Sequence, residues 1–376
     1  MKKFSRKKTA LFLVIIYTVF VFVFYGGSVI YRAAKFYANI KHPQRGMQGK
    51  VYRFDPELGF APIPNSQGAH VLPPGPNIPI RYDAAGFRIP REDPATVPSR
   101  LRPLVLALGC SYTYGDACTA EDAYPYLVGK QINGSSINAG GCAYGLAQMV
   151  ILARRLLPVY KPDYLLVQYS PWLVTRAQSF FAPSFYGKIT NPFYFERENT
   201  LRLSLPIFRP IIIDLPIDQY KTSAKGVADF LSFIVSVGIP LHIYEDFHLV
   251  LFRTKKYLGL IPAPSHDENK IIQTAYGEIA RLAQINGARM IVVVLGWNEK
   301  PVPVPEKILA LNPLVANAHA ALLDRLPEKT LESYAKRYVH WNGSPPVVID
   351  AHPNPSAHKI IAEEIVNTIK ASGKKK

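Results

Sequence analysis

"LVLALGCSYTYG", residues 104–115, is the stretch that decides the fold. Its first five residues are all apolar and run into Gly109. A short apolar run bounded by glycine reads as a strand buried on both faces, as in a parallel sheet. Ser111 follows directly, so it falls at the carboxyl end of that strand, where open α/β sheets put their active sites. A glycine two residues ahead of the serine lets the backbone turn sharply there.

Downstream, short apolar runs alternate with helical patterns, which predicts βαβ units and a parallel sheet. "AYPYLVGKQI" at 123–132 reads as a helix, "SSIN" at 135–138 as a strand and "GLAQMVILARRLLP" at 145–158 as a helix. "DYLLVQY" at 163–169 and "RMIVVVL" at 289–295 read as strands, with a helix over about 269–285 between them. A helix over about 313–325, a last strand "VVID" at 347–350 and a closing helix from about Ser356 complete the pattern.

Asp350 and His352 close that last strand, ahead of Pro353. An Asp beside a His at the same sheet edge as a serine is what nucleophile activation requires: the imidazole takes the serine proton and the carboxylate fixes its tautomer. Between the two segments, "NAGGCAYG" at 138–145 forms a glycine-rich turn. Backbone N–H groups there, near Gly141 and Ala143, together with that of Ser111, can face a developing oxyanion. The spacing is not the G-x-S-x-G elbow, since Thr113 stands where its last glycine would be.

Together these segments resemble the SGNH (GDSL-like) hydrolase and esterase superfamily over roughly residues 104–370. "GCSYTYG" is similar to its G-D-S-x-x-x-G block, "NAGGCAYG" to N-x-G-x-x-G-x-G, and "DAHPN" to D-x-x-H-P-N. The resemblance implies a three-layer α/β/α, flavodoxin-like parallel sheet with Ser111 as nucleophile, His352 as base and Asp350 as its orienting acid. His358 then reads as a structural residue at a helix start. The leader "YRFDPELGFAPIPNS" with "RYDAAGFR" resembles the segment ahead of the catalytic domain in membrane-anchored, exported members linked to polysaccharide modification.

Three departures matter. Cys110 replaces the usual Asp before the serine, and Asp350 and His352 are one residue apart instead of two. The third family block, G-x-N-D, aligns with "YSPW" at 169–172, so Pro171 sits where an oxyanion-stabilising Asn is expected. Gln168, Ser170 or Asn298 are candidate substitutes for that donor, while Trp172, Trp297 and Asn298 are candidate substrate-binding residues. A bridge between Cys110 and Cys142 is conceivable, with Cys118 as an alternative partner, and the pairing stays open.

The formal net charge of +17 invites a nucleic-acid reading. Its location removes that reading: residues 1–50 hold ten Lys/Arg and no acid, and Lys370 and Lys374–Lys376 add four, leaving 30 bases against 27 acids in between. Thr9–Tyr31 is an uncharged tract of 23 residues, long enough to span a bilayer. The expected organisation is a basic cytoplasmic tail (1–8), a transmembrane anchor (9–31), an extended leader wrapping the domain (32–100), a hydrolase-like domain (101–370) and a basic tail (371–376). An insertion over 171–266 carries "LSFIVSVGIPLHIY" at 231–244, too short and too broken by Gly238 and Pro240 for a second span. It reads as a lid, a substrate wall or a patch on the membrane surface. His242, Glu245, Asp246 and His248 lack the H-E-x-x-H spacing, so no metal site is assigned.

The sequence therefore predicts an inner-membrane, single-pass serine esterase or acyltransferase with its catalytic domain periplasmic or extracellular. Its expected partners are the membrane and an acylated glycan or lipid substrate, not nucleic acid, and the chemistry requires no cofactor. The alternative is a catalytically weak or inactive scaffold that holds glycan or an assembly partner at the membrane, motivated by the missing Asn.

Overall fold

In the computed structural model, residues 6–41, 46–49, 51–72, 75–91, 101–182, 189–207, 228, 232, 239–343 and 347–373 are described. The chain divides into two units, Met1–Gln44 with Leu215–Arg253 and Arg45–Asp214 with Thr254–Lys376.

In the first unit, helix α1 covers Arg6–Lys41. It runs ten residues past the expected end of the apolar tract at Tyr31, into what the sequence reads as extended leader. "RAAKFYANIK" contains good helix formers and no breaker before Pro43, so nothing stops the helix at Tyr31. Leu11, Phe12, Val14, Phe22 and Val23 all expose more than half of their surface. Among the described residues alone, no helix is long and apolar enough to cross a membrane. Of the apolar stretch at 231–244, residues 231 and 233–238 lie outside the described residues, and 239–244 open a later helix over Ile239–Tyr257.

The second unit begins with the leader. Strands β1 (Gly46–Gln48), β4 (Gln67–Val71) and β5 (Asn77–Arg81) form one antiparallel sheet, and β2 (Tyr52–Asp55) pairs with β3 (Gly59–Pro62) in another. Tyr52, Phe60 and Tyr82 bury their rings in the same core as the strands of the main sheet. Arg155 grips Asp55 through two nitrogens at 3.0 Å, and also pairs with Glu57.

The main sheet follows. It contains β6 (Leu104–Leu108), β7 (Ser135–Asn138) and β8 (Tyr164–Tyr169). After the short strands β9 (Phe181–Ala182), β10 (Ile189–Thr190), β11 (Phe193–Arg197) and β12 (Thr200–Ser204), which pair in two hairpins, it gains β13 (Arg289–Val294) and β14 (Leu314–Ala316). The order is β14-β13-β8-β6-β7 with every pairing parallel. Every residue of β6 is buried, as are all but the first of β8 and β13, which is why these strands are continuous apolar runs rather than alternating ones.

The helices on the sheet are α2 (Ser111–Tyr114), α3 (Tyr124–Gln131), α4 (Leu146–Tyr160) and α5 (Pro171–Ala177). Also in the second unit are α7 (Glu268–Ile285), α8 (Glu306–Leu309), α9 (Ala318–Asp324), α10 (Leu331–Tyr338) and α11 (Pro355–Gly373), while α6 (Ile239–Tyr257) lies for most of its length in the first. The step from β6 to β7 runs one way along the sheet and the steps from β7 to β8 to β13 run the other. Right-handed crossovers then put α3 on one face and α4 and α7 on the opposite face. Accordingly α4 packs on α7, while α11 packs on α3 and α9. The order reverses between β6 and β8, which opens a crevice at their carboxyl ends.

Two expectations are corrected. The predicted helix over 313–325 divides into β14 and α9, because Leu314–Ala316 pair parallel with β13 and the Asn317 side chain caps the new start by accepting from Ala320 N–H at 3.0 Å. "VVID" is a strand, β16 (Val347–Asp350), but it lies outside the main sheet. It pairs antiparallel with β15 (His340–Asn342), placing His340 opposite Asp350. A two-stranded hairpin leaves Val347 and Val348 exposed, and a four-residue apolar run carries no signal that distinguishes it from a sheet strand.

Arg88 shows how the leader is fastened. It is buried, donates to the carbonyls of Tyr114, Gly115 and Cys118, and lies 4.5 Å from the Tyr114 ring centre. Arg88→Met removes three charge-assisted bonds and takes from Cys118 O the donor it has in Arg88, while Tyr114 O and Gly115 O keep Asn138 Nδ2 and Cys118 N–H, so chemical denaturation should show a stability loss of about 3 kcal/mol. A loss below about 1 kcal/mol would mean the leader is held elsewhere.

Candidate active site

Gly109 ends β6, and Cys110 and Ser111 turn straight into the short helix α2. A side chain at Gly109 does not fit: its Cβ would stand 2.0 Å from Thr113 Oγ1 and 2.5 Å from Gln168 Oε1. Gln168, fully buried at the end of the neighbouring strand β8, holds this turn. Its Oε1 accepts from Cys110 N–H at 3.0 Å and from the Thr113 hydroxyl at 2.8 Å. Its Nε2 donates to Ser170 Oγ at 2.9 Å, and Ser170 Oγ donates to Leu295 O at 2.8 Å. Asn138, at the end of β7, donates to Thr113 O at 3.0 Å. Three parallel strand ends thus converge on one helical turn.

The structure brings Ser111, His352 and Asp350 together. Ser111 Oγ lies 2.8 Å from His352 Nε2, and His352 Nδ1 lies 2.6 Å from Asp350 Oδ1. Since a carboxylate oxygen only accepts, Nδ1 carries the proton and Nε2 faces the serine hydroxyl. Ser111 and Asp350 are buried, whereas the His352 side chain is 18% exposed, enough to meet a ligand. The short Asp-x-His spacing works because Asp350 Oδ1 also accepts from His352 backbone N–H at 2.7 Å, an Asx-type turn that folds the ring back onto its carboxylate. Tyr112 ties the two halves, donating to Ala351 O at 2.9 Å with its ring 5.3 Å from that of His352.

Cys110, where an Asp is usual, lies beside the serine with its sulfur 3.3 Å from Gln168 Nε2. Burial alone would raise its thiol, but Arg176 and hydrogen bonds from Trp172 and Gln168 bring it below the ordinary thiol range. No bridge forms: Cys110, Cys118 and Cys142 are all free and buried.

The remaining candidates divide. Gly141 N–H donates to Gly109 O at 3.2 Å, so it is committed to the turn and not available to an oxyanion. Its Cβ would strike the Tyr144 ring at 2.4 Å, which explains the glycine by packing. Ala143 adopts a left-handed φ of 61° in the same turn. Ser111 stands at the first position of α2, where a backbone N–H has no acceptor within the helix. Trp172 is half-buried with its ring 5.1 Å from Tyr112, so it stands next to the site. Trp297 is 54% exposed after β13, and Asn298 Oδ1 accepts from Lys300 N–H in its own loop, so neither is drawn to the serine by a contact. Gln168 and Ser170 are likewise spent on the scaffold. Pro171 opens α5.

His358 is fully buried on α11, where its Nδ1 accepts from Tyr124 N–H at 3.2 Å. Burial, with the nearby Arg88 cation, holds it down to about 3. Asn354 sets this helix: its Oδ1 accepts from Ala357 N–H at 3.0 Å and its amide donates to Arg337 O at 3.0 Å.

No family model matches the chain, and no curated protein matches it either. Several solved structures are similar. Esterase EstA from Pseudoalteromonas sp. is 13% identical, with a TM-score of 0.34 over 72% of this chain and 99% of that one. A GDSL-like lipase from Bacteroides thetaiotaomicron is 13% identical, with a TM-score of 0.32 over 72% of this chain and 89% of that one. LAE5, an alpha/beta hydrolase from the Lake Arreo metagenome, is 11% identical, with a TM-score of 0.36 over 72% and 97% of the two chains.

Two outcomes follow from this geometry. Gly109→Ala should lose at least about 3 kcal/mol in denaturation, because both partners of the new methyl are pinned. His358 binds a proton in the unfolded chain near pH 6.5 but not in the folded one until about 3, so stability falls as pH drops through that window. In His358→Asn the amide oxygen can take the place of Nδ1, so the melting temperature should be lower at pH 7.5 but fall less between pH 6.5 and 4. Parallel curves for the two proteins would contradict a neutral buried His358.

Proposed function

We propose that the protein is a serine esterase or acyltransferase, with Ser111 as nucleophile, His352 as general base then acid, and Asp350 as the group that orients it. The observation carrying this reading is the run of bonds from Asp350 Oδ1 to His352 Nδ1 at 2.6 Å and from His352 Nε2 to Ser111 Oγ at 2.8 Å. As the Oγ–carbonyl carbon bond forms, the hydroxyl proton passes to Nε2. It then goes to the leaving alcohol oxygen as that bond breaks and the acyl-enzyme remains. Water or a sugar hydroxyl then gives a proton to Nε2 as its oxygen bonds the acyl carbon, and Nε2 passes that proton to Ser111 Oγ as the Oγ–carbon bond breaks.

The oxyanion would be met by backbone N–H of Ser111 and Ala143. Absence of the side-chain donor costs about 100- to 1000-fold in rate, which leaves a slow enzyme rather than none. The aromatic wall of Tyr112 and Trp172 suits a sugar ring, and the exposed apolar surface of α1 suits a bilayer anchor with the catalytic unit outside the cytoplasm. O-acetyl groups on cell-surface or exported polysaccharide are therefore the substrates we propose first, with lipid acyl esters second.

The full chain in detergent should be labelled by a fluorophosphonate probe and should release acetate from p-nitrophenyl acetate. Ser111→Ala should abolish both while melting within about 2 °C of the parent. An unlabelled, folded parent protein would instead favour a scaffold that holds glycan without turnover.

A further inference from the structure

His352 is flanked by a second carboxylate that the reaction scheme does not use. Asp116 is 2% exposed in the loop after α2, and its backbone N–H donates to Ser111 O at 3.1 Å. Its Oδ2 lies 3.8 Å from His352 Nε2, the same nitrogen that faces Ser111 Oγ. Its Oδ1 lies 3.3 Å from Cys142 Sγ and 3.3 Å from His70 Nδ1. His70, fully buried on leader strand β4, also places Nδ1 2.8 Å from Asp116 O. The leader thereby reaches the reaction centre through a single imidazole.

Burying a carboxylate is costly unless its charge is used or compensated. A neutral imidazole gains nothing from an anion beside Nε2, because that nitrogen then carries a lone pair. An imidazolium does gain, since Nε2–H becomes a donor and the ring a cation. Asp116 therefore acts on the state that exists after Ser111 has given up its proton.

We propose that Asp116 is a positioning residue which stabilises the protonated His352 from the Nε2 side, and that His70 of the leader holds the Asp116 carboxylate in place for it. No bond is made or broken at Asp116: the proton stays on Nε2 until it passes to the leaving oxygen. Asp350 faces the ring from the β16 side, Ser111 and Tyr112 face it from α2, and His358 lies behind it on α11. Around Asp116 stand His70, Cys142 and the cation of Arg88. Burial keeps Tyr112 and Cys142 protonated and neutral and His358 uncharged, so the carboxylates of Asp350 and Asp116 are the opposing charges on the imidazolium.

The proposal rests on His352 being the working base, so the test reads the ring itself and not only turnover. In the full chain with labelled histidine, NMR titration of His352 should show its midpoint about 1 to 3 pH units lower in Asp116→Asn than in the parent. His70→Asn should lower it by a smaller amount. Where esters are turned over, kcat of Asp116→Asn should fall about tenfold or more with KM unchanged, and the acid limb of its pH profile should move down with the midpoint. Identical His352 midpoints in parent and Asp116→Asn overturn the proposal, whether or not the protein hydrolyses esters. Should Asp116→Asn fail to fold, the His352 midpoint in His70→Asn decides: lowered supports the proposal, unmoved overturns it.

Discussion

One buried amide carries the geometry of this site. Gln168 sits at the carboxyl end of β8 and binds both the backbone of Cys110 and the hydroxyl of Thr113. Those two contacts fix a turn that has no slack, because Gly109 presses against the same pair of groups. A parallel sheet provides the right place for such a lock, since neighbouring strand ends emerge side by side at the point where the strand order reverses. Ser111 is therefore held by the sheet and not by its own four-residue helix.

The histidine arrives from a different kind of element. β15 and β16 form a small hairpin outside the sheet, tied back through His340 to Ala117 O at 2.7 Å and through Ala351 O to Tyr112. Asp350 and His352 make their own local turn, so the orientation of this pair is set within three consecutive residues. Stiffness at the sheet and local order at the hairpin together hold reacting atoms within hydrogen-bond distance in the absence of a ligand. The leader adds a third support. Arg88 and His70 both end on the loop that follows Ser111, which makes this segment part of the site's scaffold rather than a spacer.

Much of this was readable in advance where periodicity was strong. The strands at 104–108 and 164–169 and the helix at 146–160 were legible because their apolar residues run or recur without a break, whereas "SSIN" at 135–138 holds one apolar residue and was legible only from its place between two helical patterns. The pairing of Ser111 with Asp350 and His352 was legible because the residue types and chain order match a known chemistry. Gly141 as a free donor was not, because only the folded turn reveals that its N–H is taken by Gly109 O. The sequence left Gln168 as one of three candidate substitutes for an oxyanion donor, because an amide at a strand end looks the same whether it faces ligand or scaffold; in the fold its amide is bonded to Cys110, Thr113 and Ser170. Asp116 and His70 carried no spacing signal at all, being 46 residues apart in chain segments with different textures.

The sequence by itself determined the alternation of elements, the apolar amino-terminal tract, the near-neutral body between basic ends and the residue types of the Ser111, His352 and Asp350 trio. Those are local or compositional properties, written in consecutive residues. Only the tertiary structure decided that "VVID" leaves the main sheet, that the three cysteines form no bridge, and that a second carboxylate, with a leader histidine beside it, lies on the Nε2 side of the His352 ring. Such facts depend on which distant groups share a buried volume, and that is set by packing around the switch point of the sheet rather than by any stretch of chain.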